Sequence, residues 1–266
     1  MTATAMTIAG SDSGGGAGIQ ADIKTFSALG VYATSVITAV TAQNTLGVTA
    51  VEDISPDAIR AQFKAVIDDI TVHAIKIGMV SRSETIVAIA QELAIYKGPV
   101  VLDPVMVATS GDRLLREDAI EALITGLVPK AAIVTPNLPE AALLTGTPIA
   151  ETQVEMVRQA EIILSAGASA VLIKGGHAGG GDSVDLLVDH TGVTEFATPR
   201  INTKNDHGTG CTLAAAVTAG MAKGQPIDQA VQNAKHYIQR ALVAGKDLAI
   251  GHGHGPVHHF HQWWPA

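Results

Sequence analysis

The chain has 266 residues, 47% hydrophobic and only 3% aromatic, with a formal net charge of -8. That length holds one large α/β domain or two small ones, and an acidic balance with no run of Lys and Arg excludes nucleic acid as a main ligand. A single cysteine excludes an internal disulfide framework and a multi-cysteine zinc site, and the lack of an uninterrupted membrane-length apolar stretch or a basic leader predicts a cytoplasmic protein with no membrane partner.

Met6 to Ala9 is a short apolar run ending at Gly10, followed by the glycine-rich segment Ser11 to Gly18. The apolar positions Ile19, Ile23, Phe26 and Leu29, stopped by Gly30, complete a strand-loop-helix unit. Gly16-Ala17-Gly18-Ile19-Gln20-Ala21 fits a loose dinucleotide fingerprint, but no acidic residue closes the next apolar run to hold a ribose, which disfavours a nicotinamide oxidoreductase. Val31 to Val40 predicts a second strand, ending at Thr41-Ala42-Gln43-Asn44. Ser55-Pro56-Asp57 predicts a capped helix through about Asp68.

Ala74 to Met79 reads as the next strand, and Ser83-Glu84 as the cap and first acid of a helix to about Tyr96. Pro99 to Leu102 leads into Asp103-Pro104-Val105-Met106. A helix over about 117–126 precedes a strand over 131–135, which ends at Pro136-Asn137-Leu138-Pro139-Glu140. Two helical stretches come next, about 140–144 and 152–165. Ala170 to Ile173 ends in Lys174-Gly175-Gly176-His177, and 183–190 with 193–197 predicts a hairpin about Thr191-Gly192. Further on, Ile227 to Leu242 recurs at helical spacing. Strands alternating with helices imply a mostly parallel sheet covered on both faces, in one domain over 1–266.

Between the hairpin and the last helix lies Asn205-Asp206-His207-Gly208-Thr209-Gly210-Cys211-Thr212, followed by an alanine-rich run. Two glycines at the start of a buried helix leave backbone amides free at its positive end, a cradle for a phosphate group. Acidic, amide and cationic residues end other strands: Asp12, Asp103, Asn137 with Glu140, and Lys174. In a parallel sheet those ends share one edge with the cradle, a combination suited to Mg-nucleotide phosphates. Structural roles are open to each: Asp103 as a cap, Asn137 as a turn residue, Glu140 as a helix N-terminal acid, Lys174 as a surface cation.

Cys211 stands in the first turn of that helix, where the thiol pKa is expected to fall below about 8.5 and favour a proton acceptor. His207 is the nearest histidine in sequence for a paired cysteine mechanism. His252, His254, His258, His259 and His261 crowd the end of the chain among glycines and near Phe260, Trp263 and Trp264. A segment anchored by its aromatics is the preferred reading over a metal tract, with 251–255 also placed to approach a nucleotide.

In this order the motifs resemble the ribokinase-like superfamily, and within it the hydroxymethylpyrimidine/phosphomethylpyrimidine kinases of thiamine biosynthesis. The resemblance rests on Ala9-Gly10-Ser11-Asp12 with Gly15 to Asp22, Ala42-Gln43-Asn44, Lys76-Ile77-Gly78-Met79, Asp103-Pro104-Val105-Met106, Thr135 to Ala141, Lys174 to His177, His207 to Cys211 and Gly253 to His259. It implies a three-layer α/β/α fold around a mostly parallel sheet, ATP as phosphoryl donor, Mg, a small pyrimidine substrate and a homodimer. Gln43 would hydrogen-bond the pyrimidine, Met79 and Val105 would flank it, and Gly10 and Asp22 would complete its pocket. Asp103, Asn137 and Glu140 would organise Mg and the phosphates, with Lys174 on the nucleotide side. Gly208, Thr209 and Gly210 would hold the developing charge, and Cys211 takes the place of the aspartate base found in much of the superfamily. Ser11-Asp12-Ser13-Gly14 departs from the family's proline-containing loop. Two other activities remain in view: pyridoxal kinase, and a silent vitamin-binding regulator, against which Cys211, Asp103 and Glu140 speak.

Overall fold

Period-two alternation in the apolar strands decides which helix meets which face of the sheet. The computed structural model describes residues 2–106, 115–116, 118–175 and 181–264. In it β1 (Thr4–Asp12) is flanked by β2 (Tyr32–Asn44) and β4 (Ala74–Ile77), both parallel to it. Beyond β4 the parallel series continues through β5 (Val100–Leu102), β6 (Ile133–Val134) and β7 (Ala170–Lys174). Antiparallel strands close both edges, β3 (Gly47–Asp53) against β2, and β8 (Asp182–Asp189) then β9 (Gly192–Pro199) beyond β7. The sheet order is β3-β2-β1-β4-β5-β6-β7-β8-β9.

Met6, Ile8, Ile75, Ile77, Val100 and Leu102 point to one face, where they pack with α2 (Pro56–Ile67), α3 (Ser83–Glu92), α4 (Ala119–Gly126), α5 (Leu138–Thr145) and α6 (Gln153–Ser165). Ala5, Ala74, Val101 and Ile133 point to the other, under α1 (Gly18–Ala28), α7 (Thr209–Ala222) and α8 (Ile227–Gly245). Small side chains on that second face let the helices approach closely. A Cβ on Gly220 of α7 would lie 2.9 Å from the Ala230 Cβ of α8. Since α7 is buried on nearly every side, its alanine-rich sequence follows from its position between sheet and α8.

The expected three layers and alternation are present, with local corrections. β2 runs on to Asn44, and β3, not expected from the sequence, pairs with it. β3 is largely exposed, so it carries little of the apolar signal that marks a strand. The α3 cap is Arg82, and Ser83 is already helical. Asn137 is the α5 cap, which starts that helix before Glu140. The hairpin turns at His190-Thr191, because Asp189 Oδ1 accepts from the Thr191 amide at 2.7 Å and from its hydroxyl at 2.6 Å, leaving Gly192 to open β9. Glu117, Gly176 and His177 lie outside the described residues.

Candidate active site

The chain leaves β1 for β2 on one side and later places β4 on the other, so the crevice between the carboxyl ends of β1 and β4 is a topological switch point, where open α/β sheets bind ligands. A cavity of about 920 Å³ opens there and extends along the sheet edge. Gly10, Gln43, Met79, Asp103, Val105, Asn137, Glu140, Lys174, Gly208, Thr209, Gly210 and Cys211 all line it. The ends of six strands and the start of α7 thus converge. A second cavity of about 490 Å³, between α7 and α8, contains none of these residues.

Gly208 caps α7 with φ 82°, a left-handed conformation that suits glycine, and a Cβ there would lie 1.9 Å from the Gly16 carbonyl oxygen. The first intrahelical bond runs from the Thr212 amide to the Gly208 carbonyl at 2.9 Å, so the amides before Thr212 have no partner within the helix. Thr209 turns both its amide and its hydroxyl back onto the Asp206 carbonyl, at 3.1 and 2.6 Å. Gly210 and Cys211, which line the cavity, are therefore left to supply the cradle's amides, and Thr209 braces the turn. Gly210 also faces charge: a Cβ built on it would lie 3.3 Å from Lys174 Nζ and 3.9 Å from Asp103 Oδ2.

Asp103 is 1% exposed. Its Oδ1 accepts from Lys174 Nζ at 2.9 Å and from Thr135 Oγ1 at 3.1 Å, while Oδ2 is buried without a hydrogen-bond partner among the described residues. Burial alone would raise its pKa, but the Lys174 and Lys76 ammonium groups prevail and hold the carboxyl below the ordinary range. Glu140, 3.9 Å from Lys174, is pushed up to about 7 by burial and by the charge of Asp103, against the pull of Lys174. Lys174 is far from a surface cation, with a side chain 13% exposed. Asn137 and Glu140 form a reciprocal capping box at 2.8 Å each way and also line the cavity, so structural and site roles coincide.

On the acceptor side Gly10 makes room for Met79, whose Sδ would sit 2.9 Å from a Cβ at that position. Gln43 Oε1 accepts from Thr41 Oγ1 at 3.0 Å, and its amide nitrogen lies 3.5 Å from His207 Nε2. Asp22 is not a wall of the cavity. It is fully buried beneath it, accepting on Oδ2 from Thr7 Oγ1 at 2.6 Å and Lys76 Nζ at 2.9 Å. Lys76 and Ala74 share the sheet face that meets α1, which is why a cation on β4 finds an acid on that helix.

The Cys211 thiol departs from expectation: burial pushes it up to about 11, and the carboxylates Asp22 and Asp103 add to the rise. Lys76 and a hydrogen bond from the Gly18 amide pull the other way without offsetting that cost. His207 pairs with Asp12, Nε2 to Oδ2 at 2.9 Å.

Sequence reasoning gives no role to Lys76 or to the Asp12–His207 contact, and reads Ile238 and Leu242 only as positions of a long helix. Both apolar residues line the far end of the cavity with Pro199 and Ile201. The available signals were a lone lysine within an apolar strand and an aspartate leading a glycine-rich loop. In the terminal segment, the glycines meet the β2–β3 turn: the His254 amide donates to the Thr45 carbonyl at 2.8 Å. Aromatic contacts, His258 with Trp264 at 4.3 Å and Tyr237 with His261 at 5.3 Å, anchor the residues after those glycines.

A family model described as phosphomethylpyrimidine kinase matches residues 12–258. A Rhizobium meliloti protein named hydroxymethylpyrimidine/phosphomethylpyrimidine kinase is 61% identical over 264 residues, 99% of each chain. The solved phosphomethylpyrimidine kinase of Clostridium difficile is 47% identical, with TM-score 0.80, covering 90% of this chain and 99% of that one. A Staphylococcus aureus pyridoxal kinase solved with AMP-PCP and pyridoxal is 33% identical, with TM-score 0.90, covering 100% and 96%. The chain belongs to the phosphomethylpyrimidine kinase family, and its fold is ribokinase-like.

Proposed function

We propose that this chain, as a single kinase domain over 1–266, transfers the γ-phosphoryl group of ATP to hydroxymethylpyrimidine and then a second one to the monophosphate, the pair of steps that serves thiamine biosynthesis. The observation that carries the reading is the convergence, in one cavity, of the α7 amides with Asp103, Glu140 and Lys174 on one side and Gln43, Met79 and Val105 on the other. Both halves of a phosphoryl transfer then have a place: acceptor at the β1–β4 crevice, donor along β5 to β7.

In the first step the acceptor hydroxyl attacks the γ-phosphorus as the bond to ADP breaks, and its proton passes to the Cys211 sulfur. A thiol with pKa about 11 is ionised in only on the order of one molecule in ten thousand at neutral pH. The rare thiolate is a correspondingly strong base, and Lys76 and the Gly18 amide steady its charge. In the second step the nucleophile is a phosphate monoester, mostly ionised above its second pKa of about 6, and needs no base. The amides of Gly210 and Cys211 and the ammonium of Lys174 receive the charge that develops on the transferred group.

The residues fit a divalent cation. Mg is held by one or two carboxylates plus phosphate oxygens and water, and Asp103 offers a buried oxygen with no partner among the described residues, with Glu140 beside it. When bound, Mg would screen the phosphate charges. A cytoplasmic homodimer completes the reading, supported by Val40, Leu46 and Val51, apolar and exposed on the β2–β3 ribbon. Among the described residues no helix is long and apolar enough to cross a membrane.

Pyridoxal kinase is the competing reading, since a pyridoxal kinase shares the fold. ADP release measured side by side with hydroxymethylpyrimidine, its monophosphate and pyridoxal decides between them. Turnover of both pyrimidines is expected. Turnover of pyridoxal alone overturns the proposal.

A further inference from the structure

We propose that Asp12 and His207 are a positioning pair that fixes the acceptor pocket relative to the anion cradle, so that both phosphoryl transfers depend on their contact. The inference rests on the kinase reading and extends it to residues that touch no reacting atom. The Asp12 side chain is 3% exposed and fully engaged. Its Oδ1 accepts from the Gly14 amide at 2.8 Å, and its Oδ2 accepts from the Gly16 amide at 3.0 Å and the Ala17 amide at 2.8 Å. One buried carboxylate therefore dictates the shape of the whole 11–18 loop, which frames the acceptor side. The same Oδ2 meets His207 Nε2 at 2.9 Å.

His207 is tied down in its turn, donating its amide to the Gly255 carbonyl at 3.0 Å and accepting from the Val257 amide at 3.4 Å. The next residue is Gly208, seated on Gly16 with no room for a Cβ. Burial works against a charge on Asp12, and the hydrogen bonds from His207, Ala17 and Gly14 overcome it. With this contact gone, loop and cradle can drift apart, and a shift near 1 Å between reacting groups costs on the order of a hundredfold in rate.

The test compares His207→Ala, His207→Gln, Asp12→Asn and the Asp12→Asn/His207→Ala double variant with the unaltered enzyme, each step assayed separately at saturating ATP and Mg. His207→Ala is expected to lower kcat about tenfold to a hundredfold in both steps, with KM for ATP changed less than about threefold. His207→Gln, which restores an amide donor, recovers part of the loss. In the Asp12→Asn background, removing His207 costs less than about a further twofold, because the pair acts as a unit. Cys211 gives a readout independent of turnover: being the chain's one cysteine, its alkylation by iodoacetamide is expected to speed up roughly threefold or more in His207→Ala as the loop loosens.

A lower Tm with both kcat values intact, a loss confined to the first step, fully multiplicative losses in the double variant, or an unchanged alkylation rate each overturns the pair. If His207→Ala does not fold, His207→Gln and Asp12→Asn carry the same comparisons. Failure of the unaltered enzyme to phosphorylate either pyrimidine sinks the kinase reading instead, and the alkylation rates still judge the pair.

Discussion

Lys76 Nζ lies 2.9 Å from Asp22 Oδ2, and neither side chain has any exposed surface. A buried ion pair is costly to break from one side, because the surviving charge has no water to return to. Asp22→Ala is therefore expected to lower stability by about 3–5 kcal/mol in denaturant unfolding. An unchanged midpoint would show that Lys76 finds another counterion.

The two transfers should separate with pH and with Cys211→Ala. The folded thiol titrates at about 11, so kcat/KM for the first step is expected to climb with pH across 7 to 9, close to tenfold per unit. For the second step the profile should be flat above about pH 7, where the monoester is already ionised. On the proposed mechanism Cys211→Ala is expected to damage the first step alone. Equal damage to both steps, measured in separate assays, would deny the sulfur its role.

Asp103 accepts from Lys174 Nζ at 2.9 Å and is the carboxylate proposed above to hold a divalent cation. Replacing it by Asn keeps the shape but removes the charge that pairs with Lys174 and, on the proposed reading, with the divalent ion. The expected result is a fall in kcat on the order of a hundredfold and a higher Mg concentration for half-maximal rate. A normal Mg titration with only kcat reduced would leave Lys174 as the sole beneficiary of this carboxylate.

His259 links the terminal segment to α7, its Nε2 3.0 Å from Thr212 Oγ1, and burial pushes its pKa down to about 3. Its folded pKa lies below the unfolded value near 6.5, so the unfolded chain binds the extra proton between those two values. This group's contribution is whole above about pH 6.5 and is lost as pH falls toward 3, with a limiting slope of about 1.4 kcal/mol per pH unit. Denaturant unfolding at pH 7 and pH 5, on the protein and on His259→Gln, isolates the effect. Identical pH dependence in the two would contradict it.

Much of this site could be read from strand ends alone. Asp103, Asn137 and Lys174 each follow an apolar run, and parallel pairing then forces them to one edge whatever their distance in sequence, while the Gly208 turn shows in its two glycines ahead of an alanine-rich run. What stayed hidden depends on facing directions and on dielectric. The resemblance implies a place for Asp22 in the pocket, yet one turn of α1 carries it beneath the cavity floor to Lys76. The Cys211 thiol was expected to fall because helix starts favour anions, while enclosure by its neighbours proves the larger effect. β3 escaped notice because a half-exposed ribbon needs no run of apolar residues. Lys76 stands out in Ala-Ile-Lys-Ile as the one charged residue of an apolar strand, but its partner lies on a different element.

Thr45 and the glycines of the terminal segment meet across a separation of 207 residues in the bond from the His252 amide to the Thr45 hydroxyl, and a Cβ on Gly253 would lie 2.0 Å from the Thr45 carbonyl oxygen. On the ribosome, β1 through β7 emerge before residues 251–257, so those strands can be assembled before that seam closes. Gln43 and His254 both line the cavity, so its vestibule on the β2 side is complete only once the 251–257 segment has emerged and docked.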